Sequence, residues 1–191
     1  MKNELLKLLE THSFKKGDFT LASGKKSSYF LDVKQTALRA EGHLLIGNLF
    51  LNKIQDLDYQ NKIQGISSIR AVCGVELGGC SLASSVSTLS MYLDHANMNK
   101  LNCLYIRKAP KDHGTKKMIE GDNSIFPNMK VVLLEDVTTT GISSLKALQV
   151  LRDNDIICNN IFTVVDRLEG AKENLEKNDV ELYSLFTIKD F

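Results

Sequence analysis

Four short apolar runs, IRAVCG (69–74), LNCLYI (101–106), KVVLL (130–134) and IFTVV (161–165), constrain this chain more than any other feature. Most are rich in β-branched residues, and apolar side chains fill them with almost no polar alternation. A strand that is apolar on both faces must be covered on both faces, which is the situation of a parallel sheet between layers of helix. Helical spacing lies around the runs. It is carried by Leu5, Leu8, Leu9 and His12, by Leu38, Leu45, Leu49, Ile46, Phe50 and Ile54 within 36–54, and by the stretches 79–93 and 142–153. Residues 18–33 read as two short strands about a Ser23-Gly24 turn, and 180–188 as a last strand. The expected class is α/β: a central parallel sheet flanked by helices, with a small N-terminal hood of about residues 1–35 and a C-terminal contribution to it.

A length of 191 residues, without repeats or a Gly/Ser-rich linker, suits one domain over 1–191. Lysine and arginine total 24 against 23 acidic residues, so no basic excess recommends nucleic acid as a partner. No apolar run approaches the ~20 residues of a membrane helix, and the N-terminus, with Glu4 and Glu10, lacks the apolar centre of a signal peptide. Cys73, Cys80, Cys103 and Cys158 are widely spaced, without a CxxC or Cys/His pattern, which favours reduced core thiols over zinc. A cytoplasmic protein is expected.

In open α/β sheets ligands bind beyond the carboxyl ends of the strands, here just after Gly74, Ile106, Leu134 and Val165. The stretch VVLLEDVTTTGIS (131–143) is the richest of these places. A buried strand delivers Glu135 and Asp136 together. The small polar loop that follows, with Val137, Thr138, Thr139, Thr140 and Gly141, leads into a helix near Ile142 and Ser143. Backbone N–H groups and hydroxyls there can converge on an anion at a helix N-terminus. Two acids beside that anion repel phosphate but suit sugar hydroxyls or a hydrated Mg²⁺. A phosphate loop next to acids that hold a diol describes a ribose 5-phosphate site. No GK[ST] follows, which excludes a Walker-type loop.

After LNCLYI comes RKAPKDHGTKK (107–117), with Arg107, Lys108, Lys111, Lys116, Lys117 and His113 in a chain otherwise balanced in charge. Unplaced, such a run reads as a solvated basic loop. At a strand's carboxyl end it can instead serve as a closing lid that brings cations to an anionic leaving group. No Ser/His/Asp or Cys/His arrangement offers a covalent nucleophile.

The block 131–143 resembles the phosphoribosyl-pyrophosphate (PRPP) signature of the type I phosphoribosyltransferase family, and RKAPKDHG resembles the catalytic loop of that family's orotate-using branch. The resemblance covers roughly 19–191 and implies the family's fold. It implies that Arg107, Lys108, Lys111 and His113 contact PRPP, with Lys111, His113 and Asp136 catalytic. It also implies a homodimer in which loop 107–120 is shared between subunits, and Mg²⁺ carried in on PRPP. FTLASGKKSSYFLD (19–32) is similar to the family's hood, which makes Lys26 a PRPP contact and Tyr29 and Phe30 base contacts. GVELGGCSLA (74–83) is similar to its pyrophosphate-side loop. VVDRLEGA (164–171) is similar to the turn whose arginine meets the orotate carboxylate, which assigns the base to Arg167 together with Thr139. Ala22 and Gly78 stand where some members carry lysine, and Ser81 where proline is common. The expected reaction joins orotate to PRPP, giving orotidine 5′-monophosphate and pyrophosphate in pyrimidine synthesis. Two alternatives share the core: a purine phosphoribosyltransferase, which has no use for a carboxylate-binding arginine, and a non-catalytic PRPP sensor, which has no need of the basic loop.

Overall fold

The computed structural model describes residues 1–20, 24, 26–65, 67–92, 100–110 and 117–191. Helix α1 (Lys2–His12) leads into an antiparallel hairpin of β1 (Phe14–Thr20) and β2 (Lys26–Leu31). The short α2 (Lys34–Ala37) and long α3 (Ala40–Ile63) follow, and then β3 (Ile69–Val75), α4 (Gly78–Tyr92), β4 (Asn102–Ile106), β5 (Ile119–Glu120), β6 (Lys130–Thr138), α5 (Ile142–Arg152), β7 (Ile157–Asp166), α6 (Ala171–Glu176) and β8 (Glu181–Thr187). The main sheet runs in the order β5-β4-β3-β6-β7-β8, parallel except for β5. Among the described residues no helix is long and apolar enough to cross a membrane.

The near-continuous apolar strands are explained by two cores, one on each face. On β6, Val132 and Leu134 enter a core with α1, α3 and α4, while Val131 and Leu133 enter a second core with α5. Successive side chains point to opposite faces, so a strand feeding two cores has no polar face to show. The chain leaves β3 in one direction towards β4, and β6 lies on β3's other side. The crevice between the ends of β3 and β6 is therefore a topological switch point, where open sheets place ligands.

Some expected boundaries move. Helical spacing over 36–54 suggests one helix, but Arg39 is extended (φ −83°, ψ 143°) and separates α2 from α3. The break follows from close packing at Thr36, whose hydroxyl lies 2.7 Å from that of Ser13 while a methyl group on Gly42 would meet its carbonyl oxygen. Helix α3 then runs on to Ile63, its last turns secured by buried Asp58, which accepts the Ile69 N–H at 2.7 Å and pairs with Lys62 at 3.0 Å. Strand β6 extends past Leu134 to Thr138, which carries both acids on the strand itself.

Candidate active site

The ends of β3 and β6 enclose a cavity of about 240 Å³ lined by Lys34, Glu76, Gly78, Lys108, Glu135, Asp136, Val137 and Ser143, among others. Glu135 and Asp136 are neighbours on a strand, so their side chains leave it in opposite directions and meet different surroundings. Glu135 turns inward, is only 6% exposed and accepts from the Ser144 hydroxyl at 2.9 Å. Burial pushes its carboxyl up to about 7; the Ser144 hydrogen bond opposes this, nearby Asp136 adds to it, and Lys108 opposes it. Asp136 faces the cleft. One carboxylate oxygen accepts the Val137 N–H at 3.0 Å and the other lies 3.5 Å from Lys34 Nζ. Behind it stands Gly78, where a Cβ would fall 2.2 Å from the carboxylate. Glycine at 78 is the condition for this acid to sit at the sheet edge.

Glu135 yields a stability prediction. Its folded-state carboxyl is raised above the ordinary 4.5, so its stabilising contribution is complete below pH 4.5 and is lost as pH rises through about 7. Ionising it in place costs the folded state roughly 3 kcal/mol. Glu135→Gln should therefore gain stability relative to wild type by about that amount between pH 4.5 and pH 8. Urea denaturation at both pH values checks this; a gap that does not change with pH would mean Glu135 ionises normally.

The loop after β6 presents unpaired donors. Gly141 is left-handed (φ 78°) and caps α5 with no side chain. Among the described residues no protein acceptor takes the N–H groups of Thr139, Thr140, Gly141 or Ile142. Free N–H groups at the positive end of a helix form an anion site. The loop is braced from behind, since Asn174 Nδ2 donates to the Thr140 carbonyl at 2.9 Å. Thr138 takes a different place. It is the last residue of β6, buried, its hydroxyl 3.5 Å from Asp166 and its carbonyl accepting the Arg167 N–H at 3.0 Å. The stretch with free donors thus begins at Thr139.

Lys108 lines the cavity, and its N–H donates to Glu76 at 3.1 Å. Arg107 lies on the adjoining cavity with Met118 and Lys146, pairs with Glu120 at 3.2 Å and donates its N–H to the Met118 carbonyl. The two ends of the basic segment are thereby held together beside the cleft. Lys111 and His113 lie outside the described residues.

The hairpin separates its three candidates. Tyr29 and Phe30 are adjacent on β2 and so point to opposite sides. Tyr29 reaches Arg167, with its hydroxyl 3.1 Å from Nε and its ring 5.0 Å from the guanidinium carbon. Phe30 is 43% exposed and packs on Phe19, and Lys26 donates to Thr20 at 2.9 Å. Arg167 is 13% exposed and its Nε also lies 2.8 Å from Glu169. Its terminal nitrogens have no partner among the described residues. The C-terminus joins the hairpin through Phe14 and Phe191, whose ring centroids are 5.0 Å apart. Sequence reasoning missed Lys34, Ser144 and Asn174. None belongs to a motif, and only the fold brings each to the cleft or its supports.

No protein-family model matches the chain. Full-length relatives do. The chain is 43% identical to orotate phosphoribosyltransferase of Methanocaldococcus jannaschii over 99% of its own length and 96% of the relative's. The crystal structure of orotate phosphoribosyltransferase from Aeropyrum pernix superposes with a TM-score of 0.75 at 32% identity, covering 97% of this chain and 94% of that one. That of Mycobacterium tuberculosis orotate phosphoribosyltransferase in complex with PRPP gives 0.72 at 25% identity, covering 99% and 97%. With acids, anion loop and basic segment around one crevice and such relatives along its whole length, the chain belongs to the orotate phosphoribosyltransferase family and is an enzyme of that activity.

Proposed function

We propose that ribose 5-phosphate passes from PRPP to orotate in the crevice between β3 and β6, giving orotidine 5′-monophosphate and pyrophosphate. The observation that carries this reading is the meeting of the Glu135–Asp136 pair with the unpaired N–H groups of Thr139 to Ile142 at the start of α5. The loop from Thr139 to Ser143 takes the 5′-phosphate, with Val137 and Thr138 setting its start. Asp136, which faces the cleft, accepts from the ribose hydroxyls; Glu135, buried against Ser144 at the cavity wall, shares that role by resemblance. Bond breaking at ribose C1 leaves positive charge on the sugar and negative charge on pyrophosphate. Arg107 and Lys108, beside the cleft, neutralise the pyrophosphate, and Lys26, Lys111 and His113 act there by resemblance. Mg²⁺ would enter with PRPP as part of the substrate. Tyr29, Thr139 and Arg167 address orotate; Phe30, which faces the opposite side of β2 from Tyr29, carries that role by resemblance alone. Orotate reacts with its ring nitrogen already ionised, so no side chain is assigned as a base.

The 191 residues act as one domain in the cytoplasm, with the hairpin as a hood. The working unit is a homodimer in which the basic loop of one subunit serves its neighbour. Mixing Lys111→Ala subunits with Asp136→Ala subunits tests this. Each homodimer should be nearly inactive, and the mixture should recover activity at one site per mixed dimer. Failure to recover after verified subunit exchange would make each chain self-sufficient.

A further inference from the structure

Lys34 lies on α2, outside every motif, yet its Nζ is 2.7 Å from Asp32 and 3.5 Å from Asp136, and it lines the same cavity as Glu135 and Asp136. Asp32 is itself fixed. Its N–H donates to the Ser13 carbonyl at 2.9 Å, and its carboxylate accepts the Lys34 N–H at 3.2 Å and Gln35 Nε2 at 3.1 Å. Lys34 is thus anchored at the base of the hairpin and reaches across to the sugar-side acid. Asp136 is gripped from three directions: by Lys34, by the Val137 N–H, and by the Gly78 backbone that closes behind it.

We propose that Lys34 is a positioning residue for PRPP, holding the Asp136 carboxylate in the orientation that accepts the ribose hydroxyls and tying the hairpin to the sugar site. This rests on the reading that Asp136 contacts the ribose.

Charge bookkeeping favours this role over a purely structural one. Lys34 is 39% exposed on its side chain, and ion pairs that open to water add little to fold stability. In the cleft the situation differs, because Glu76, Glu135 and Asp136 gather there and the incoming substrate is a polyanion. A cation beside Asp136 offsets that like charge at the acid nearest the ligand. Burial works against the charged lysine, but the Asp32 hydrogen bond and the Asp136 and Asp32 charges outweigh it, so Lys34 stays protonated.

Steady-state kinetics and thermal unfolding of Lys34→Met, Lys34→Arg and Asp136→Asn, alone and in combination, test the proposal. Lys34→Met should raise KM for PRPP about tenfold while leaving KM for orotate within about twofold and the melting temperature near wild type. Lys34→Arg should recover most of the loss. Because Lys34 acts through Asp136, adding Lys34→Met to Asp136→Asn should cost little more. Should Asp136→Asn raise KM for PRPP while Lys34→Met does not, the role of Lys34 falls and the ribose reading stands. If Asp136→Asn leaves PRPP use untouched, the ribose reading falls and takes the proposal with it. A Lys34→Met variant that loses both substrates alike, melts early and is not rescued by arginine would make Lys34 structural.

Discussion

Lys111→Ala should lower kcat by roughly 100- to 1,000-fold while the protein stays folded, in line with the loss of one donor aimed at developing negative charge. Pyrophosphate leaves as an anion, and its charge grows as the bond to ribose C1 breaks. A cation beside it is worth most at that moment, so its removal falls on kcat and much less on KM. The segment that carries Lys111 starts where β4 ends, at Arg107 and Lys108, and returns to the sheet at β5. The Arg107 N–H to Met118 carbonyl bond and the Arg107–Glu120 ion pair close its base next to the cleft. Measuring kcat, both KM values and the unfolding temperature of the variant checks this. An unchanged kcat would reduce 107–117 to a solvated surface loop.

Arg167→Ala should cut kcat/KM for orotate about 100-fold, which is about 2.7 kcal/mol of lost transition-state stabilisation, and leave PRPP binding nearly unchanged. Orotate differs from uracil by one carboxylate, and a guanidinium meets a carboxylate with two parallel hydrogen bonds. Arg167 is prepared for this. Its backbone N–H fixes it to the end of β6, Tyr29 and Glu169 engage Nε, and among the described residues no hydrogen bond is made by the terminal nitrogens. The same contacts give the competing outcome its form. If Arg167 serves mainly to fasten the hairpin through Tyr29, the variant will lose PRPP and orotate equally and unfold at lower temperature. Titration of the variant with PRPP, beside orotate kinetics, separates the two.

What the sequence discloses here follows from how local each feature is. The central strands are legible because each feeds two cores, so burial leaves a contiguous apolar mark, as in Val131 to Leu134. The Glu135–Asp136 pair and the threonine loop are legible because one strand-loop-helix segment holds them all. Contacts across the fold are not. Tyr29 and Arg167 are 138 residues apart, and resemblance assigns each to the base without indicating that they touch each other. Lys34 carries no local pattern at all and gains its meaning only from Asp136 across the cleft. Thr138 looks like its two neighbours in sequence, but strand pairing with Asp166 draws it inward. The α2–α3 break is invisible because helical spacing continues through it, and β5 is too short, at two residues, to have a period.

One assay bears on the whole reading at once. The purified protein, with PRPP and Mg²⁺, is offered orotate, uracil, adenine and hypoxanthine in turn, and pyrophosphate release is measured. Orotate should turn over fastest, uracil slower by about two orders of magnitude for want of the carboxylate that Arg167 meets, and neither purine measurably. Faster turnover with a purine, or equal turnover with uracil, would contradict the assignment of this cleft to orotate.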